Sequence, residues 1–171
     1  ERRIAIEKWY KKWFFKIESE RLKKYERSQF DYFESKIIIS KQDKACILHP
    51  ENEKIRVVPN GIDASFFEEL PNEKKYDIVF TGNFSYAPNI DAVCILAEKI
   101  LPLVNQSSNS KTYSLLISGA NPTKRVLNLE SATVHVTGWV NVIRESYHLS
   151  RIFVAPLFIG TGFRNKLLEA M

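Results

Sequence analysis

Gly160-Thr161-Gly162-Phe163-Arg164-Asn165-Lys166-Leu167-Leu168-Glu169-Ala170-Met171 closes the chain, directly after the apolar run Ile152-Phe153-Val154-Ala155-Pro156-Leu157. The run is predicted to be a buried strand. The glycines then turn the chain, and Leu167, Leu168 and Met171 start an apolar helical stripe. Strand, glycine turn and helix start put unpaired N–H groups and the positive end of a helix dipole at the turn, an arrangement suited to a phosphate. Arg164 and Lys166 add positive charge, and Glu169 is able to accept hydrogen bonds from sugar hydroxyls. The segment is not a P-loop, because Gly-Lys-Ser/Thr is absent. It is not a dinucleotide fingerprint either, because Asn165 stands where the third glycine belongs.

Working back from this loop, the same grammar repeats. Asp77–Thr81, Ser114–Ser118 and Thr133–Thr137 are short strand-like runs followed by Gly82, Gly119 and Gly138. Asn89–Val104 reads as a helix with Ile90, Val93, Leu96, Ala97, Ile100 and Leu101 on one face. Ser146–Leu149 reads as a short helix, and Ile152–Ala155 as the last strand. Four strands separated by helical or polar connections predict an α/β fold, a parallel sheet flanked by helices in the Rossmann manner. In such sheets ligands bind beyond the carboxyl ends of the strands, where these glycines stand.

The first third is different. Residues 1–36 carry 11 Lys/Arg against 7 Asp/Glu and no Gly or Pro, whereas the rest of the 171-residue chain is close to neutral. Trp9, Trp13 and Ile17 recur at helical spacing, as do Tyr10 and Phe14, with Leu22, Tyr25 and Phe30 continuing the stripe. A helix is predicted here, with a break near Arg27-Ser28 where Ser28 caps a second one. Ile37-Ile38-Ile39 is expected to be a buried strand, Ser40–Leu48 a short helix capped by Ser40, and Ile55–Val58 a strand ended by Pro59-Asn60-Gly61. Ala64–Lys75 is polar apart from Phe66-Phe67 and is the candidate link between domains.

Composition excludes several classes. With 44 % hydrophobic residues the chain is neither disordered nor, outside residues 1–36, basic enough for a nucleic-acid surface. No apolar run approaches the roughly 20 residues that span a bilayer, and residues 1–20 carry no secretory signal. Cys46 and Cys94 lack metal-ligand spacing and are expected to be buried free thiols in a reducing compartment, so no metal is predicted. His49, His135 and His148 are scattered, and His135 is expected to face away from the core. Acidic groups such as Glu7 and Asp31 read as solvated faces.

Five ordered motifs carry a resemblance. Val58-Pro59-Asn60-Gly61-Ile62-Asp63, Phe80-Thr81-Gly82-Asn83 with Tyr86–Val93, Val136-Thr137-Gly138-Trp139-Val140, Val154-Ala155-Pro156-Leu157, and Gly160-Thr161-Gly162 with Lys166–Met171 resemble the C-terminal domain of family-four glycosyltransferases, over about residues 37–171. The resemblance implies a GT-B fold of two Rossmann-like domains. It implies retaining transfer of sugar from a nucleotide diphosphate sugar to a glycan, lipid-linked or other acceptor, as in polysaccharide biosynthesis, without an essential metal or other cofactor. It implies residues 1–58 as the end of the acceptor domain, 59–75 as the linker and 76–171 as a truncated donor domain, inactive alone, whose open sheet edge needs covering. Glu169 matches the second Glu of the family's E-x7-E motif and would bind the donor ribose; the first Glu position holds Thr161. Gly82, Asn83, Trp139, Val140, Thr161, Gly162, Phe163, Arg164, Lys166 and Glu169 are the expected donor-binding residues, and the catalytic residues are not assigned. Asn83 and Asn89 occupy regions where the family usually places diphosphate cations, which shifts that role to Lys166 or Arg164. Two other readings stand beside transfer: a nucleotide-binding module without transfer activity, and a nucleotide-sugar epimerase on the same fold. The basic aromatic segment 1–36 reads either as a peripheral contact of a cytoplasmic enzyme with an anionic membrane or as packing within the acceptor domain.

Overall fold

The computed structural model describes residues 9–68, 73–157 and 165–171. They group into two compact units, one up to Gly61 and the other from Ile62 to Leu157 with Lys166–Met171.

In the first unit, helix α1 (Trp9–Phe30) runs unbroken through Arg27-Ser28. Ser28 does not cap a new helix: its hydroxyl donates 2.7 Å back to the Tyr25 carbonyl, the within-helix alternative open to serine. Strand β1 (Lys36–Ile38) and strand β2 (Ile55–Val57) pair in parallel. Ile55 is buried, but Ile37 is exposed, so β1 is not the buried strand its β-branched residues suggest. A two-stranded ribbon has only one covered face. Between these strands lies α2 (Lys41–Cys46), with Ser40 as its cap: Ser40 Oγ accepts from the Asp43 N–H at 3.0 Å and donates to the Asp43 carboxylate at 2.6 Å. Cys46, in the last turn of a helix with no buried residue, is an exposed free thiol and not a buried one.

The second unit contains a four-stranded parallel sheet of β3 (Tyr76–Thr81), β4 (Leu115–Ser118), β5 (Val134–Gly138) and β6 (Ser150–Phe153), in the spatial order β5-β4-β3-β6. Its two inner strands are apolar almost throughout and buried on both faces. Of the outer strands, β5 alternates between more and less covered positions. His135 of β5 is exposed, as its neighbours predict, and pairs with Glu130 at 3.0 Å. Strand β6 departs from the expectation of a buried strand: it starts two residues early, at Ser150, and Ile152 is exposed, since among the described residues β6 pairs with β3 alone. The apolar continuation serves the core instead, with Val154, Ala155 and Leu157 packing against it.

The predicted helix over Asn89–Val104 is observed as three consecutive segments. These are α3 (Ala87–Ile95), a π turn (Leu96–Ile100) and α4 (Leu101–Ser107). Leu101 N–H reaches back five residues to the Leu96 carbonyl. Pro102 explains the wider turn: it has no N–H to give, and its ring would collide with the carbonyl four residues back in a regular α-helix. Val93, Leu96 and Leu101 are all fully buried against Phe80, Leu115 and Ile117. Short helices α5 (Lys124–Leu127), α6 (Ile143–His148) and α7 (Asn165–Glu169) complete the connections. The result is the Rossmann-like α/β architecture expected from the strand–glycine–helix pattern.

The amino end of β3 is fixed by charge. Asp77 is buried, accepts from Ser114 N–H at 3.1 Å, pairs with Lys111 and lies 3.7 Å from Arg151 Nε of β6. Burial alone would raise its carboxyl, but these donors hold it below the ordinary aspartate value.

Candidate functional site

At the other end of the sheet β3 and β4 give way to Gly82 and Gly119 and β5 ends in Gly138, and these glycines pack against one another. Gly119 N–H donates to the Gly138 carbonyl at 2.8 Å, and Gly82 N–H to the Ser118 carbonyl at 3.0 Å. Gly119 sits at φ +146°, and a Cβ there would lie 1.8 Å from the Gly82 carbonyl oxygen, so only glycine fits. A Cβ on Gly82 would meet the Asn89 amide at 2.9 Å and Lys166 Nζ at 3.3 Å. The bare backbone opens a cleft of about 310 Å³ lined by Gly82, Gly119, Trp139, Val140, Lys166 and Glu169, with Asn83 and Thr81 at its edge. A larger hollow of about 480 Å³ lies elsewhere, bordered by Glu98, Glu130 and Thr133 near the amino end of β5. Ligands of parallel sheets bind at the opposite, carboxyl end, so the smaller cleft is the candidate.

Helix α7 brings two side chains to the cleft, Lys166 and Glu169, three residues apart and hence on one face. Lys166 Nζ donates to the Thr81 carbonyl at 2.9 Å and to Asn89 Oδ1 at 3.1 Å, and lies 4.7 Å from the centre of the Phe80 ring. Asn89 passes the contact on, its Nδ2 donating to the Asn83 carbonyl at 2.8 Å. Asn83 shapes the turn after β3 by accepting from Ser85 N–H at 2.9 Å. Glu169 accepts at Oε2 from the Tyr147 hydroxyl at 3.0 Å, and that hydroxyl also meets Thr81 Oγ1 at 2.7 Å. Burial, followed by the Glu169 carboxylate, pushes the Tyr147 hydroxyl well above the usual tyrosine range against the opposing pull of the Thr81 bond. Trp139 is 68 % exposed and does not serve as packing at its strand end.

Six of the ten sequence-predicted site residues therefore line this cleft: Gly82, Asn83, Trp139, Val140, Lys166 and Glu169. Thr161, Gly162, Phe163 and Arg164 lie outside the described residues. Sequence reasoning missed Tyr147 and the hydroxyl of Thr81. The available signal was the Ile143/Tyr147 spacing, which puts both on one face of α6, with Ile143 lining the cleft.

His49 has company that its position in the sequence does not reveal. Its ring nitrogens, Asp31 and Glu51 offer ligand atoms within 4.8 Å of one another. Yet Nδ1 already accepts from the Glu51 N–H at 3.1 Å, Nε2 faces Asp31 at 3.4 Å, and the ring stacks on Phe30 with centroids 3.8 Å apart. Nδ1 thus anchors the turn after α2, while Nε2 faces the carboxylate that follows α1.

A family model described as glycosyl transferases, group 1, matches residues 75–171, and the chain belongs to that family. Neither a comparison with curated proteins nor one with solved structures yields a match. Membership makes glycosyl transfer, with a sugar donor and an acceptor, the class of chemistry. The parallel sheet with its flanking helices is a Rossmann-like GT-B fragment. Among the described residues no helix is long and apolar enough to cross a membrane.

Proposed function

We propose that the protein transfers a glycosyl unit from a nucleotide diphosphate sugar to a glycan, lipid-linked or other acceptor, with retained anomeric configuration and without an essential metal. The observation that supports this reading is the joint placement of Lys166 and Glu169 in the cleft at the carboxyl ends of β3, β4 and β5, beside bare glycine backbone. A diphosphate needs positive charge and backbone approach; a ribose needs a carboxylate that accepts from two hydroxyls.

In this reading Lys166, with Arg164 and the N–H groups of Thr161, Gly162 and Phe163, stabilises the charge that develops on the departing diphosphate. Glu169 holds the ribose, and Trp139 with the Val140 backbone faces the base. Gly82 and Asn83 let the donor approach the end of β3. Residues 76–171 form the donor domain, 1–58 the end of an acceptor domain and 59–75 the link. Exposed Trp9, Trp13 and Phe14 among the lysines of α1 support peripheral contact of a cytoplasmic enzyme with an anionic membrane; lipid co-sedimentation of the full-length protein checks this separately. Thr161, in place of an acidic residue, favours the competing reading of nucleotide binding without transfer.

Titration of the full-length protein with UDP, GDP and ADP, wild type against Glu169→Ala, tests the site. One diphosphate binds, and the substitution weakens it at least about tenfold, the weight of charge-assisted hydrogen bonds. Absence of binding, or an unaffected Glu169→Ala variant, rejects the assignment. Sugar transfer from the matching nucleotide sugar separates an enzyme from a binding module.

A further inference from the structure

Tyr147 stands where α6, β3 and α7 meet through side-chain hydrogen bonds. A carboxylate only accepts, so the Tyr147 proton goes to Glu169 Oε2 at 3.0 Å, and the hydroxyl oxygen in turn accepts from Thr81 Oγ1 at 2.7 Å. Thr81 is buried, and its own carbonyl takes Lys166 Nζ at 2.9 Å. One residue at the end of β3 therefore fixes both α7 side chains, Lys166 directly and Glu169 through Tyr147. The Tyr147 ring is separately secured by an edge-on contact with Phe153, centroids 5.6 Å apart, so removing the hydroxyl leaves the ring in place.

We propose that Tyr147 is a positioning residue that sets ribose selectivity: it holds the Glu169 carboxylate in the orientation that accepts the two ribose hydroxyls of a nucleoside diphosphate. This inference rests on the reading of the cleft as a nucleotide-sugar site. Burial and the adjacent carboxylate keep the Tyr147 hydroxyl protonated, a donor at every physiological pH. With Oε2 held, the plane of the carboxylate is fixed before a ligand arrives, and the ribose does not have to order it.

The test is calorimetric titration of the full-length wild type, Tyr147→Phe, Glu169→Ala and the double variant. The probes are UDP, GDP and ADP, their 2′,3′-dideoxy counterparts and inorganic pyrophosphate. Tyr147→Phe is expected to weaken the preferred ribonucleotide about tenfold, the weight of one hydrogen bond to a charged group. Dideoxynucleotide and pyrophosphate affinities stay within about twofold, and the double variant binds no worse than Glu169→Ala alone. A purely structural tyrosine would weaken all probes alike, which overturns the inference, as does an unchanged ribonucleotide affinity. If Glu169→Ala erases the ribose preference while Tyr147→Phe keeps it, the tyrosine inference alone falls. If wild type binds no nucleoside diphosphate, the cleft reading falls with it.

Discussion

The carbonyl oxygen of Gly82 occupies the space that a side chain on Gly119 would need: a Cβ there would lie 1.8 Å away. Backbone cannot swing aside as a lysine tip can, and Gly119 also sits at positive φ. Gly119→Ala is therefore expected to cost more than about 3 kcal/mol or to prevent folding. Thermal unfolding measures it; a Tm within a few degrees of wild type would contradict the packing described.

Gly82→Ala should behave differently. Its new methyl group meets the Asn89 amide and the far end of Lys166, both side chains. The expected stability loss is about 1–2 kcal/mol, while affinity for the preferred nucleoside diphosphate falls about tenfold because Lys166 is displaced. Parallel unfolding and titration experiments distinguish the two glycines: one breaks the sheet, the other the cleft.

Much of the sheet was legible in the sequence, for a physical reason. Strands covered on both faces must be apolar at every position, and Ile78-Val79-Phe80 and Leu115-Leu116-Ile117 are. Edge strands carry no such constraint. Ile152 belongs to an apolar run yet is exposed, and Ile37 likewise. The unbroken α1 was missed because a helix-interior serine looks the same in sequence as a capping one until its hydroxyl is seen donating to Tyr25. In the cleft, Lys166 and Glu169 were legible because one short helix carries both. The Tyr147–Thr81 bond joins residues 66 positions apart, and no local pattern encodes such a contact.

Trp139→Ala is expected to leave stability within about 0.5 kcal/mol, since the side chain is 68 % exposed. If the indole faces the base, nucleoside diphosphate affinity drops about fivefold or more, whereas pyrophosphate affinity is unchanged. Equal effects on both ligands would remove Trp139 from the site.

Asp77→Asn is expected to cost about 1–3 kcal/mol at pH 7, by loss of charge toward Lys111 and Ser114. The sign with pH follows from the depressed carboxyl. Its contribution is complete above the ordinary aspartate value of 3.8 and is lost as pH falls through the lower folded-state value. Urea unfolding should show the wild-type advantage at pH 7 and its shrinkage in strong acid. Nucleotide affinity is expected to stay constant.

That last expectation follows from how β3 divides its length. From Asp77 to Thr81 the strand is roughly 13 Å long, with an ionic anchor at one tip and a ligand-ready opening at the other. Substitutions along it should therefore sort by address rather than by chemistry. Near Asp77 they register in the unfolding curve alone, and near Thr81 in unfolding and ligand binding together. A single strand thus supplies its own internal control for telling a loss of architecture from a loss of recognition.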